Sequence, residues 1–533
     1  MDSNQFREAA HAAIEEIIQY YDTIESRRVL SDVSPGYLRE LIPSAAPQTG
    51  EPWTSIQPDI ERVIVPGLTH WQSPNFMAFF PAHSTYPGML GELYSAAFTA
   101  PAFNWLCSPA VTELETVVLD WLAQLLALPE CYLSKGEGGG VIQGSASEAI
   151  VTVMVAARER VLRNLAEELE GKEREDKVDA SRGKLVALGS EHAHSSTQKG
   201  AIIAGTKFRA VPGLREDDFA MTGKTLRRAL EDCEKDGLVP YYLTVTLGTT
   251  STCAVDKFAE IAEVLKDYPN VWVHVDAAYA GAALVCEEYQ HLTPPLAHFD
   301  SFDMNMHKWL LTNFDASCLF VKKRSDLTTA LSITPSYLRN AFSDSGLVTD
   351  YRDWQIPLGR RFRSLKVWFV LRSYGAEGLK AHIRKHVQYG ELFNELVRGR
   401  PDIFELVSGP NFALNVVNIV PRRKWLKGRQ RRVSASQPDP DHEAYLNDFT
   451  SDAEKHALLD ANEITKEVYE TINKRGEIFL TSGIVAGVYV IRVVASTPRV
   501  EERHIRKAFD ILVKTAEEVL NGKDAGAAAS ASA

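Results

Sequence analysis

Apolar and polar positions along the 533-residue chain change their period as it proceeds. The opening MDSNQFREAAHAAIEEIIQYY spaces its apolar residues three and four apart, the repeat of an amphipathic helix. Helical periods broken by proline-marked turns, such as VSPGYLRELIP and WQSPNFMAFFPAH, continue through residues 1–85. From 86 to 380, short apolar runs bounded by Gly, Asp or Thr take over: GGGVIQGS, KLVALGS, YYLTVTLGTT, VWVHVDAAYAG and ASCLFVKK. Helical stretches separate these runs, which predicts an α/β fold built on a large, mostly parallel sheet covered on both faces. From 381 to 520 the helical period returns with strand-like FALNVVNIV and VYVIRVVAS, predicting a smaller α+β domain. Residues 421–463 form an insertion in it, basic in PRRKWLKGRQRRV, then SASQPDPDHE, then an acidic helical pattern. The closing 521–533 is alanine- and serine-rich, and its low complexity predicts disorder.

Composition narrows the class. Hydrophobic residues are 45% and charged residues 24%, as in a globular protein with a substantial core. A net charge of −12 argues against nucleic acid or an anionic membrane as the main partner. No apolar run approaches the ~18 residues that span a bilayer. The mixed charge of the N-terminus does not read as a signal peptide. Cysteines 107, 131, 233, 253, 286 and 318 lack metal-type spacing and mostly sit in apolar segments, as expected of buried thiols in a reducing cytoplasm.

Against this background Lys308 stands out, set in MHKWLL between His307 and Trp309. Such a lysine either snorkels its ammonium to water or is held for covalent chemistry with a carbonyl. Asp276 ends the apolar run VWVHV and is followed by the small Ala277 and Ala278. Upstream, GGGVIQGSASEA brings Gly144, Ser145, Ala146 and Ser147 to the start of a helix, where free N–H groups bind phosphate. The segment is not a nucleotide P-loop, because the Gly-Lys-Ser/Thr ending is missing. An amine for an aldehyde, a carboxylate for a ring nitrogen and a phosphate cradle together describe pyridoxal 5′-phosphate.

The stretches PGYLRELIPSAAP, SPAVTELETVVLDWL, GGGVIQGSASEA, HVDAAYAG, HKWLLTNFD and DWQIPLGRRFRSLK also resemble the group II, pyridoxal-phosphate-dependent aromatic L-amino acid decarboxylases. The likeness covers about 5–420 and 464–515. It implies the aminotransferase-type fold I, an N-terminal helical dimerisation segment over 1–85, and a homodimer with active sites at the subunit interface. It also implies that Lys308 forms the Schiff base and Asp276 holds the ring nitrogen protonated. His194 stacks on the cofactor ring, Ala278 packs under it, and Thr250 lies near its polar edge. Ser145, Ala146, Ser147 and Asn305 serve the phosphate, and His307 stands beside the Schiff base and substrate. His192, two residues from His194, does not match the stacking position and reads as solvated or structural. Trp71, Phe79, Phe80, Pro81 and Phe103 match an aromatic substrate pocket, although ordinary core packing is the alternative for such residues. Ala82 and Met306 depart from the family pattern, where a hydroxyl residue and a proline are common.

The same resemblance makes 333–350, ITPSYLRNAFSDSGLVTD, a lid over the site, with Tyr337 as the acid that protonates the substrate carbon. Relatives with phenylalanine there release an aldehyde, so the tyrosine implies an amine product. Gly359 matches a position where a small residue admits an indole, which favours tryptophan or 5-hydroxytryptophan over DOPA, tyrosine and phenylalanine. The rival readings are an aromatic aldehyde synthase, a glutamate or histidine decarboxylase, and a non-catalytic pyridoxal-binding protein. In the insertion, Asp439, Asp441 and Glu443 are calcium candidates, because clustered carboxylates can gather six to eight oxygens. No EF-hand pattern accompanies them, and a solvated charged loop is the other reading.

Overall fold

The computed structural model describes residues 1–333, 338, 340–344, 347–420 and 452–531, with side chains except at 452–456 and 523–531. The chain begins in the helix Ser3–Thr23, started by a reciprocal cap in which the Asp2 carboxylate accepts from the Asn4 and Gln5 amides. Seven strands then form the larger sheet. They are β1 (Gly139–Gln143), β2 (Leu185–Ser190), β3 (Lys207–Val211), β4 (Val239–Thr246), β5 (Trp272–Asp276), β6 (Ser301–Asn305) and β7 (Ser317–Val321). Their order is β1-β7-β6-β5-β4-β2-β3, and only β7 runs antiparallel to its neighbours. Buried on both faces, β1, β2, β5 and β7 read as continuous apolar runs, so the sequence announces them.

The helix Ala146–Leu165 packs across β4, β5 and β6, and the helix Gly223–Lys235 packs on β3 and β4. Because every strand but β7 points the same way, the turns after β1, β2, β4, β5 and β6 gather at one edge, the carboxyl end where such sheets collect ligands. That edge carries Ser145, His194, Thr250, Asp276 and Lys308.

A second sheet contains β8 (Phe404–Asn411), β9 (Leu414–Ile419), β10 (Thr481–Val485) and β11 (Val488–Val494), ordered β10-β11-β9-β8 and antiparallel throughout. The helix Arg363–Arg398 leads to it and is interrupted at Gly375, where φ is 64° and ψ 175°, a conformation that glycine alone adopts cheaply. The N-terminal segment ties the sheets together. Met77 donates to the Phe479 carbonyl, Val494 donates to that of Met77, and His83 donates to that of His307 beside the lysine.

The last helix runs Glu502–Ala531 and enters the alanine-rich stretch. Alanine has the highest helix propensity and here extends a helix already begun on packed residues. Most of the insertion, with Asp439, Asp441 and Glu443, lies outside the described residues. Among the described residues, no helix is long and apolar enough to cross a membrane.

Candidate active site

Lys308 sits in the short helical turn Met306–Trp309 directly after β6, which fixes its position at the sheet edge. The residue is half-buried, and its Nζ lies 5.9 Å from the centre of the Phe80 ring. Burial moves its pKa below the ordinary lysine range, while Asp276 and Asp303 pull it back up. An amine held this way keeps a nucleophilic fraction that an exposed lysine lacks.

Phe79 has a positive φ of 54° and is exposed. Phe80 turns inward to stack on Tyr279, with centroids 3.8 Å apart, and Tyr279 stacks in turn on Trp309 at 4.7 Å. This stack flanks the Lys308 turn, which contains Trp309. Arg492 reaches the Phe80 ring from the second sheet, at 5.1 Å, and donates to the Ser251 carbonyl at 3.1 Å.

Asp276 is buried and accepts from the Ala278 amide at 3.0 Å, which ties the carboxylate to the turn beneath the site. His194 is partly exposed, its Nδ1 2.8 Å from the Ser196 hydroxyl. Its pKa is lowered by burial and by the Lys308 charge, and raised in part by Asp276, so the imidazole, the lysine and the carboxylate act on one another. His192 is buried, with Nε2 3.1 Å from the Gly213 carbonyl, the structural role open to it in the sequence. Thr250 lies beside it, its amide donating to the His192 carbonyl at 3.2 Å. Ala278 is buried next to Asp276.

At the phosphate end, the Ser145 hydroxyl accepts from the Glu148 amide at 3.1 Å and caps the helix Ala146–Leu165. Capping uses an oxygen lone pair and leaves the hydroxyl proton available to an anion. Ala146 and Ser147 occupy the first turn, half-buried. Asn305 is buried and its Oδ1 has no partner among the described residues. His307 is committed to its own loop: Nδ1 accepts from the Ala316 amide at 2.8 Å and the ring meets Phe314 edge-on at 4.6 Å. Burial, with Lys308 second, pushes its pKa down to about 3, so it is neutral.

The expected aromatic pocket is only partly assembled within the chain. Phe80 adjoins the lysine, and Pro81, the next residue, is buried. Trp71 and Phe79 stack on each other at 5.7 Å in an exposed patch. Phe103 adjoins the 350–354 segment, its carbonyl accepting from the Arg352 amide at 3.2 Å. Gly359 is exposed, and a Cβ built there finds nothing within 4 Å. It lies in an exposed turn held from behind by the buried Arg360–Glu115 pair. Tyr337 lies outside the described residues.

Sequence reasoning missed the buried Asp303 and His274, whose rings and oxygens lie 3.0 Å apart beside Asp276. The available signal was polar spacing by two, in HVD and in DMN, on strands otherwise buried. Among the described residues, no group of His, Cys, Asp and Glu could hold a metal ion.

A phosphorylated aldehyde with a ring nitrogen fits this donor set. The structure offers a half-buried lysine amine, a buried carboxylate, a helix start and a buried amide oxygen without a partner among the described residues. Comparison with known proteins agrees. Residues 35–420 match the pyridoxal-dependent decarboxylase conserved domain. The chain is 42% identical over 525 residues to the aromatic-L-amino-acid decarboxylase of Rattus norvegicus, covering 98% of this chain and 100% of that one. It is 41% identical over 524 residues to the phenylacetaldehyde synthase of Arabidopsis thaliana, covering 98% of each. A crystal structure of Oryza sativa TDC with PLP and tryptamine superposes with a TM-score of 0.87 at 36% identity, covering 98% of this chain and 99% of that one. The fold and site therefore define a pyridoxal-phosphate enzyme of fold type I. Within that class the chain belongs to the group II pyridoxal-dependent decarboxylases.

Proposed function

We propose that this enzyme removes the carboxyl group of an aromatic L-amino acid, tryptophan or 5-hydroxytryptophan before DOPA, tyrosine or phenylalanine, and releases the arylalkylamine. The observation that carries the reading is the Lys308 amine, held over Phe80 and under the influence of Asp276 at the carboxyl end of the sheet. In this reading Lys308 holds the cofactor covalently, Asp276 faces its ring nitrogen, His194 covers its ring, and Ser145, Ala146, Ser147 and Asn305 receive its phosphate. When bound, pyridoxal phosphate supplies the electron sink for the bond broken at the substrate carbon. Tyr337 returns a proton to that carbon, a role supported by the family resemblance of its loop.

The preference for indoles draws support from the open space at Gly359 and from the tryptamine in the rice structure. A homodimer is supported by apolar surface left bare on one chain. Ile14, Ile17 and Ile18 line the first helix, and Leu90, Leu93 and Phe98 line the helix Tyr86–Phe98, all exposed. In a dimer the exposed Trp71, Phe79 and Gly359, with the half-buried Phe103, would meet a second copy and complete the pocket. Six free cysteines, four of them buried, suit a reducing cytoplasm.

Similarity to an aldehyde synthase keeps a second outcome in view, oxidative release of the aldehyde, and Tyr337 is the residue that favours the amine. The deciding experiment incubates the enzyme with each aromatic amino acid and quantifies amine, aldehyde and hydrogen peroxide. Tryptamine without peroxide is the expected result. Aldehyde and peroxide in equal amounts would overturn it.

A further inference from the structure

On the parallel pair β5 and β6, Asp276 and Asp303 are direct register partners. Residues opposite one another on adjacent strands project to the same face about 5 Å apart, so two carboxylates share one buried site. Asp276 is 5% exposed and Asp303 is fully buried. No arginine or lysine forms an ion pair with Asp303 among the described residues; its partner is an imidazole.

The hydrogen bonds reaching Asp303 have a direction. The Trp272 indole N–H donates to the Ser301 hydroxyl at 2.8 Å, and an indole nitrogen can only donate. The Ser301 proton is thereby free for His274 Nδ1, 2.8 Å away, which leaves the hydrogen of a neutral imidazole on Nε2. That nitrogen lies 3.0 Å from Asp303 Oδ1. The other oxygen is 3.5 Å from the Ser317 hydroxyl. Each donor points toward Asp303, so the carboxylate is built to accept and to carry charge.

We propose that Asp303 is a positioning residue for the cofactor's ring nitrogen, acting through Asp276 as a second negative charge that biases the bound ring toward its protonated, electron-withdrawing form. The inference rests on the assignment of Asp276 to that nitrogen. Burial, and then Asp276, push the Asp303 pKa up to about 6, with His274 and Lys308 opposing. It is therefore ionised at pH 8. The other titratable groups that sense it are Tyr242 on β4 and Cys318 on β7, both neutral at that pH because burial raises them.

The test compares two ligands on the apo-protein at pH 8: pyridoxal phosphate, and its analogue with carbon in place of the ring nitrogen. Both are phosphorylated aldehydes, so losses from general damage to the site lower both affinities and leave their ratio unchanged. Asp303→Asn keeps the shape and removes the charge. It should lower the preference for the nitrogen-containing ring about tenfold, the scale of a partly screened charge pair at this range. With 15N-labelled cofactor, the ring-nitrogen resonance should shift toward the unprotonated position in the variant. Asp303→Ser, also neutral, takes its place if the asparagine protein fails to fold. If Asp276→Asn lowers the ratio while neither neutral variant at 303 does, the proposal is overturned. If Asp276→Asn leaves the ratio unchanged as well, the assignment of Asp276 itself fails.

Discussion

At the scale of single residues, Lys308 carries the clearest prediction. Lys308→Ala removes the amine while sparing the Phe80–Tyr279–Trp309 stack, so the fold should persist and turnover should fall by several orders of magnitude. Borohydride reduction of the holoenzyme followed by mass measurement should label the parent protein and leave the variant unlabelled. Tyr337→Phe deletes one oxygen and should exchange amine for aldehyde and peroxide, measured by product chromatography with a peroxide assay. His83 yields a pH prediction. Its Nε2 lies 2.7 Å from the Ser496 carbonyl and its Nδ1 accepts from the Leu311 amide at 3.2 Å, so no nitrogen is left for a second proton. Burial lowers its pKa from 6.5 to about 4. The unfolded chain thus binds this proton at higher pH than the folded one. Stability should be complete above about 6.5 and decline as the pH falls toward about 4, by about 3 kcal/mol from this group. Melting temperatures of the parent and His83→Asn across that window measure it, and the variant should show the shallower acid decline.

Elements decide how those residues are held. Arg360 and Glu115 are each 1% exposed, joined by two hydrogen bonds, one of them 2.8 Å. Glu115 also accepts from the Ile142 amide at 2.8 Å, so the pair clamps the Gly359 turn to β1, the strand that leads to Ser145. Glu115→Gln strands a buried guanidinium and should cost about 3–5 kcal/mol. Denaturant titration gives that loss, and the ratio of indole to phenol turnover reports the freed turn. The same elements explain what could be read in advance. Strands β2 and β5 were legible because a sheet covered on both faces makes strands apolar throughout. β6 was not, because Asp303 and Asn305 interrupt the pattern for the sake of the site, and β3 was not, because its edge position leaves Lys207 exposed. The placement of Asp276 at a strand end, of Lys308 and of the helix start after β1 at the same sheet edge followed from the short apolar runs that precede them. The opposite fates of Phe79, exposed, and Phe80, stacked on Tyr279, are set by tertiary packing that composition does not encode. The openness at Gly359 is likewise a tertiary feature that the local sequence does not carry.

For the whole molecule, the bare apolar helices lead to a prediction about assembly. Leu93→Asp places a charge on a face that the proposed dimer would bury, and should weaken association at least ~100-fold, since a misplaced charge at an interface core costs about 3 kcal/mol. Sedimentation should then find monomers, with turnover lost in parallel. The thread that joins the two sheets has a consequence for how the protein is made. Phe79 and its partner Thr481 are separated by 402 residues, and His83 and Ser496 by 413. On a ribosome adding about 5–20 residues per second, the first of each pair waits roughly 20 to 80 s for the second to emerge. During that interval the turn that will brace Lys308 has no sheet to grip, so the larger half is synthesised with its reactive edge unfinished. Competence therefore arrives only near the end of translation, and a nascent chain halted before β10 would carry the complete lysine motif without the structure that holds it.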